Sequence, residues 1–206
     1  MKSKAYLIIG VCLILARAVQ AQTAFSPETI AGHRSFTYNH NLTLSLTEKI
    51  GLTNISWFDA DYRNSANHIY FIRSGLSYRL EEAWRFDAGV GMKNPGSFAT
   101  VSLGYQRFRE VFSFSCTAGA TYQAGWTMEP VLWAAWTPKL SSAQHLYLSL
   151  FVTGNIDKEA VQRGIQQVRL GLTQGQISYG LAANFDQFND FTNTLYNLGF
   201  FLKGTF

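Results

Sequence analysis

The chain has 206 residues and a formal net charge of +4, from 17 Lys and Arg against 13 Asp and Glu. Most of this charge belongs to the N-terminus, because residues 1–21 contain Lys2, Lys4 and Arg17 and no acid. The remaining chain has 14 basic and 13 acidic residues, which argues against nucleic acid as a partner. Cys116 is the only cysteine after residue 21, which excludes an internal disulfide and a Cys-rich metal site there.

The first 21 residues are typical of a secretory signal peptide. Lys2 and Lys4 precede an apolar run from Ala5 to Ala16, and small residues follow up to Ala21. The run is shorter than the roughly 20 residues that a membrane-spanning helix needs. We therefore expect residues 1–21 to direct export and to be removed after Ala21.

Apolar residues recur at every second position along most of the remaining chain, which predicts strands rather than helices. The clearest case is 84–93, "WRFDAGVGMK", where one face is apolar and the other is polar or glycine. The polar segment 154–165 is expected to be a loop. Eleven strands are predicted, at 34–47, 50–62, 67–80, 84–93, 97–108, 110–123, 127–138, 144–154, 164–174, 175–186 and 193–206.

Strands of this length, joined by turns, predict an antiparallel meander, because parallel strands need crossover helices. Their length matches the 9–11 residues that cross a bilayer at a tilt. A soluble sandwich also alternates, but the opposite faces here carry Gly, Ser, Thr, Asn and charges, which would form a poor dry core. The sequence thus predicts an all-β transmembrane meander barrel. Aromatic residues near the strand ends fit its interfacial girdles: Tyr78, Trp84, Tyr105, Tyr122, Trp136, Tyr196 and Phe206.

Bacterial barrels close with an even number of strands, so eleven strands need one more. Residues 22–33 would supply a weak twelfth strand, limited by Pro27, or a plug inside the barrel of 34–206. We favour twelve strands over ten. A barrel of this size has a filled interior or a narrow channel, since a wide pore needs about 16 strands. With a periplasmic C-terminus, the longer polar breaks at 59–67, 154–165 and 186–194 are expected outside.

The last residues, 195–206, read "LYNLGFFLKGTF" and place large apolar groups at alternate positions: Tyr196, Leu198, Phe200, Leu202 and Phe206. With the signal segment and the alternating strands, this ending resembles bacterial outer-membrane β-barrel proteins. In particular, the chain resembles the small barrels of Bacteroidota, which include the PorP/SprF-like secretion-associated group.

This resemblance implies that the last strand is an insertion signal read by the barrel assembly machinery. It also implies a location in the outer membrane of a Gram-negative cell, in contact with its lipid and with an envelope protein complex. No cofactor is expected.

Alternation points a set of charged residues into the lumen, with Asp186 near a rim: Arg73, Arg79, Arg85, Asp87, Lys93, Arg169 and Lys203. One interpretation is a mildly cationic path that attracts small anions. The other is a network of paired charges that holds a small barrel closed, and we favour this one because little space remains inside.

Catalytic patterns are weak. Asp59 and Asp61 are two residues apart near a strand end, where we expect a solvated loop, and His33 and Ser35 form one His-x-Ser triplet without an identifiable acid. No histidine spacing indicates a metal. The leading hypothesis is a non-enzymatic barrel with a structural or accessory role in an export or uptake assembly. The alternative is a narrow channel for small, anionic solutes, and a hydrolase at the outer rim is third.

Overall fold

The computed structural model describes residues 23–188 and 191–206, which form a closed barrel of twelve antiparallel strands. Each strand pairs with its neighbours in sequence, and β1 pairs with β12 to close the barrel. The predicted twelve-strand meander is confirmed. The predicted signal peptide lies outside the described residues. The strands are β1 (Thr23–Gly32), β2 (Ser35–Ser45), β3 (Ile50–Asp61), β4 (Ile69–Arg79), β5 (Trp84–Lys93), β6 (Gly96–Phe108), β7 (Phe112–Tyr122), β8 (Trp126–Trp136), β9 (His145–Ile156), β10 (Val161–Gln174), β11 (Ile177–Phe188) and β12 (Asn193–Gly204).

The outer faces of the strands are apolar and the inner faces are polar, which is the reverse of the arrangement in a soluble barrel. Large apolar side chains point outward and are exposed; Val90 is 65% and Phe200 69% accessible. Buried polar residues such as Thr37, Asn184 and Asn197 point inward. Since water would penalise such an apolar exterior, this surface fits lipid.

Residues 23–32 form strand β1 and not a plug in the lumen. The pairing with β12 is short and runs from Glu28 opposite Lys203 to Gly32 opposite Gly199. By this register Pro27 lies opposite Gly204 and has no N–H to donate to it. The hydroxyl of Ser26 instead donates to the Gly204 carbonyl at 3.3 Å. A side chain thus replaces the backbone bond that proline cannot make.

The barrel has a terminal end, where Thr23 and Phe206 lie, and a far end, where β1 turns into β2 at residues 33–34. Connections at the far end were expected to be the longer ones, but the connection 137–144 lies at the terminal end and exceeds all others between the described strands. The predicted loop 154–165 was also wrong at both ends, since residues 154–156 belong to β9 and residues 161–165 to β10. Arg163 therefore stands on a strand and faces the lumen.

Part of the lumen is dry. Ile30, Tyr147, Ala182 and Phe201 form a cluster of buried residues between β1, β9, β11 and β12. Phe201 is 3% exposed, so the aromatic residue that interrupts the polar face of β12 fills the interior.

In the described part of the chain, no helix has the length and apolar character to cross a membrane.

Candidate functional site: the barrel lumen

The centre of the lumen contains a buried ion pair between β1 and β10. Arg169 is 3% exposed, and its Nη2 donates to Glu28 Oε1 at 2.8 Å while its Nε donates to the same oxygen at 3.1 Å. Asn39 donates to Glu28, and Arg169 Nη1 donates to Asn184 Oδ1 at 2.9 Å. A buried charge is tolerated only when it is paired and hydrogen-bonded, and both conditions hold here.

The dry cluster adjoins this ion pair, since Ala182 lies opposite Arg169 and Ile30 follows Glu28 by two residues on β1. Lys203 Nζ donates to the Tyr147 hydroxyl at 3.0 Å, and the rings of Tyr147 and Phe201 are 5.7 Å apart. Lys203 and Tyr147 come from β12 and β9, which are separated by two strands. Their contact therefore runs across the lumen and not along its wall. We call the luminal face of β9–β12 and β1 the filled wall.

At the far end, Arg34 binds two carboxylates at once. Its Nη1 donates to Asp61 Oδ2 at 3.0 Å and its Nη2 donates to Asp59 Oδ2, while the Thr37 hydroxyl donates to Asp59 Oδ1. Burial opposes the charge of Arg34, but the bonds to Asp59 and Asp61 outweigh it and raise the pKa of the guanidinium above its ordinary value. Asp59 is 3% exposed, so the expected solvated loop at this position is wrong.

A second arginine reaches across the same end of the barrel. Arg163 makes a bidentate pair with Asp186, with Nε to Oδ1 at 2.8 Å and Nη2 to Oδ2 at 2.6 Å. Its guanidinium is 5.1 Å from the ring centre of Phe188 and 5.8 Å from that of Trp57. Since β10 and β3 are five steps apart in a ring of twelve strands, side chains from nearly opposite walls meet here.

Asn197 positions the turn that presents Arg34. Its Oδ1 accepts from the backbone N–H of Arg34 at 3.0 Å and of Ser35 at 3.3 Å, and its Nδ2 donates to the Ser35 carbonyl. The amide fits because residue 32 is glycine; a Cβ there would lie 2.0 Å from Asn197 Oδ1. The turn and the ion pair it carries therefore depend on Gly32 and Asn197 together.

The opposite side of the lumen is more open. A cavity of about 60 Å³ lies against β2–β6, and we call its lining the open wall; it includes Thr53, Arg73, Arg85, Asp87 and Ser102. Arg85 lies 3.0 Å from Asp87, with side chains 33% and 24% exposed. These exposures indicate contact with water, in contrast to 3% for Arg169.

The remaining charges near the open wall are loosely held. Arg73 Nη1 lies 3.9 Å from Glu129 Oε1, and the Thr121 hydroxyl donates to Glu129 at 2.8 Å. Lys93 Nζ lies 4.9 Å from the ring centre of Phe98. Arg73 and Glu129 come from β4 and β8, so this pair also crosses the lumen.

The structure places most of the predicted lumen charges inside the barrel, on both walls. Arg169 and Lys203 lie on the filled wall, Arg73, Arg85 and Asp87 on the open wall, and Lys93 at the far end. Arg79 is exposed at the terminal end of β4 and forms no ion pair with the described residues.

Sequence reasoning missed the partners of these charges. Glu28 lies in the segment that Pro27 marked as weak, Arg163 in the expected loop, and Glu129 in a strand of poor alternation. Arg34 was not considered. The signal that pointed to Glu28 was the need for an even number of strands, since a twelfth strand would place its alternate residues inside.

The candidate catalytic residues do not assemble into a nucleophile and base. His33 is exposed, its Nδ1 accepts from the Leu198 backbone N–H at 3.0 Å, and its ring lies 5.1 Å from that of Tyr196. Ser35 is fully buried, and its hydroxyl has no hydrogen-bond partner among the described residues. Among those residues, no group of three or more His, Cys, Asp or Glu could hold a metal.

The residues of the predicted assembly signal share the lipid-facing side of the barrel at β12 and its C-terminal end. All five are between 48% and 69% exposed: Tyr196, Leu198, Phe200, Leu202 and Phe206. Their role as an insertion signal stays a prediction.

Comparison with known proteins gives a likeness in fold. No protein-family model and no curated protein matches the sequence. Among solved structures, the NanC porin has a TM-score of 0.52 at 8% identity, over 89% of this chain and 98% of that one. An outer-membrane channel from Pseudomonas putida F1 scores 0.47 at 13% identity, over 90% and 95%. LpxR from Salmonella typhimurium scores 0.46 at 9% identity, over 89% and 100%.

The class is therefore that of closed antiparallel meander β-barrels with an apolar exterior, and the fold is similar to that of the NanC porin. Identities this low carry no information on substrate or partner.

Proposed function

We propose that this chain is a non-enzymatic outer-membrane barrel with a closed lumen, and that it serves as a structural or accessory subunit of an envelope export or uptake assembly. The observation that carries the proposal is the contact of Arg163 on β10 with Trp57 on β3, 5.8 Å from guanidinium to ring centre. Side chains from nearly opposite walls leave no wide aqueous path between them.

Charge pairing supports the same conclusion. The buried acids Glu28, Asp59 and Asp186 each have an arginine partner within 3.0 Å. A paired charge is a weak binding site for a permeating ion, because its field is already compensated. These pairs therefore act as cross-links in a filled barrel.

Conductance in a planar lipid bilayer tests the proposal, with heat-modifiable gel migration as the check that the barrel is folded. We expect no discrete steps from the wild type. The variant with both Trp57→Ala and Arg163→Ala removes the contact between nearly opposite walls, and we expect it to conduct. Regular steps from the folded wild type would contradict a closed barrel.

A narrow channel for small anions is the second candidate. The cavity along the open wall favours it, because Arg73 and Arg85 line this space and remain partly accessible. If the wild type conducts with anion preference, Arg85→Gln should weaken that preference. The double variant with Glu28→Met and Arg169→Met, which removes a compensated pair, serves as the control on the filled wall. Conductance without ion preference would speak against this candidate.

We also infer that the mature chain is inserted in the outer membrane by the barrel assembly machinery, through its last strand. Deletion of Phe206 should reduce the folded barrel recovered from outer-membrane fractions, while Phe36→Ala on the lipid-facing side of β2 should not. Equal recovery of both variants would contradict an insertion signal at residue 206. We further propose that the chain is related to the small Bacteroidota barrels that its sequence resembles.

A further inference from the structure

A polar patch lies on the lipid-facing surface at the middle of strands β2, β3 and β4. His40 is the central residue of β2, Ser74 is the central residue of β4, and Asn54 and Ser56 lie near the middle of β3 between them. Alternation places these side chains outward, in phase with Phe36, Phe58 and Leu76, all of which are exposed. Ser74 is exposed and His40 and Asn54 are half-buried, whereas Ser56 is covered by its neighbours. Polar groups that face hydrocarbon are costly and are usually functional.

The patch is a directed chain of hydrogen bonds. His40 Nε2 lies 2.8 Å from Asn54 Oδ1, which makes Nε2 the donor, and Nδ1 is then the acceptor for the Tyr38 hydroxyl at 3.1 Å. The Ser56 hydroxyl donates to the same Asn54 oxygen at 3.1 Å. Asn54 Nδ2 donates to Ser74 Oγ at 2.8 Å.

The chain of hydrogen bonds ends at the Ser74 hydroxyl, whose proton is not donated to another group in the described part of the barrel. Ser74 Oγ accepts from Asn54, and its own proton has no acceptor among the described residues. The middle of a bilayer offers no acceptor, because lipid ester and head groups lie at the two interfaces, about 15 Å away. Another protein in the membrane can supply the missing acceptor.

A groove adjoins this end of the patch. It has a volume of about 770 Å³ and is lined by small residues, Ser74, Ser97 and Ala99, with Ile72 and Met92 beside them. Val90 pairs directly with Ser74 and is 65% exposed, and Met92 is 55% exposed. The same surface thus offers a recess and two protruding side chains. Small and polar residues together are the usual contact surface of associating segments in membranes.

We propose that this surface, from Tyr38 to the groove beside Ser74, binds a second copy of the same chain. Two copies inserted in the same direction bring Ser74 to the same depth, so a twofold axis along the membrane normal places the two patches opposite each other. A hydroxyl both donates and accepts, so Ser74 of either copy can complete the other's hydrogen bond. The patch carries no formal charge, so its two copies do not repel. This inference is independent of the closed lumen proposed above.

Disulfide trapping in native outer membranes tests the inference. In a Cys116→Ser background, Ser74→Cys and Val90→Cys place single thiols on the proposed interface. Val168→Cys is the matched control, since Val168 faces lipid near the middle of β10 and is 41% exposed. After oxidation, we expect at least tenfold more covalent dimer from the first two variants than from the control. An equal yield from all three, or an adduct with the mass of a different protein, would overturn the proposal.

A second comparison separates the polar contact from general proximity. In the Val90→Cys protein, Ser74→Leu removes the hydroxyl and fills the groove, and we expect it to reduce trapping at least fivefold. Ser74→Thr keeps the hydroxyl and should retain the trapping. Heat-modifiable migration confirms that each variant is folded. If the leucine variant still forms dimer as well as the threonine variant, the hydrogen-bonded interface is refuted.

Discussion

The two walls of the lumen solve the problem of interior charge in different ways. On the filled wall, Arg169 and Glu28 have side chains 3% and 8% exposed and share several hydrogen bonds. On the open wall, Arg85 and Asp87 are 33% and 24% exposed, so they remain accessible to water. Paired charges therefore have two roles in this lumen. Buried pairs stabilise the barrel, whereas accessible pairs only line it.

The largest effect that this comparison predicts is at Arg169. Arg169→Met leaves Glu28 buried without a partner, so we expect a loss of about 3–5 kcal/mol in the free energy of unfolding. Arg73→Met on the open wall should cost less than about 1 kcal/mol, because its pair with Glu129 is long and hydrated. Urea unfolding of lipid-inserted protein, followed by tryptophan fluorescence, measures both.

The double variant with Glu28→Met and Arg169→Met is the control for that experiment. Removing both charges should recover much of the stability, since no buried charge is left unpaired. A double variant as unstable as Arg169→Met alone would mean that packing, and not charge pairing, sets the stability of the filled wall.

Loss of a carboxylate should also destabilise the barrel more on the filled wall than on the open wall, but the difference in the free energy of unfolding should be smaller. Asp186→Asn weakens a bidentate pair in which the aspartate is 6% exposed, and we expect a loss of about 2 kcal/mol in the free energy of unfolding. Asp87→Asn should change it by less than about 0.5 kcal/mol. Equal losses in the same urea titration would remove the distinction between the walls.

The rate at which a water-soluble reagent modifies a thiol compares the two walls independently of their effect on stability. In a Cys116→Ser background, Thr53→Cys faces the cavity on the open wall, whereas Ala182→Cys lies in the dry cluster. A water-soluble thiol reagent should modify Thr53→Cys at least tenfold faster, because a buried thiol reacts only when the structure opens. Similar rates would show that water reaches both walls.

The smallest effect lies outside both walls, in the turn after β9. The backbone N–H groups of Glu159 and Ala160, and then Gln162, hold the pKa of Asp157 below its ordinary value of 3.8. Its contribution to stability is therefore present above that value and is lost as the pH falls through the lowered pKa. Asp157→Asn should make the acid-unfolding curve slightly shallower below pH 3.8. Unchanged curves would show that this turn does not affect the unfolding of the barrel.

The placement of the strands could be predicted because alternation depends on local sequence alone. In 84–93, "WRFDAGVGMK", the predicted bounds match β5 as observed. The prediction was weaker where polar groups extend a strand beyond its apolar part, as at Arg163. There the strand continues because two charges pair across neighbouring strands, and nothing in either segment alone indicates it.

The sequence by itself determined the class of this protein, an antiparallel barrel with an apolar exterior, because side-chain direction in a strand follows from a period of two. It also indicated most of the charges that point inward. Only the tertiary structure decided which of these charges meet, since Arg169 and Glu28 are 141 residues apart and become neighbours when β1 closes the barrel. The polar patch of His40, Asn54 and Ser74 depends instead on the register of β2 with β3 and of β3 with β4, which brings its members to one depth.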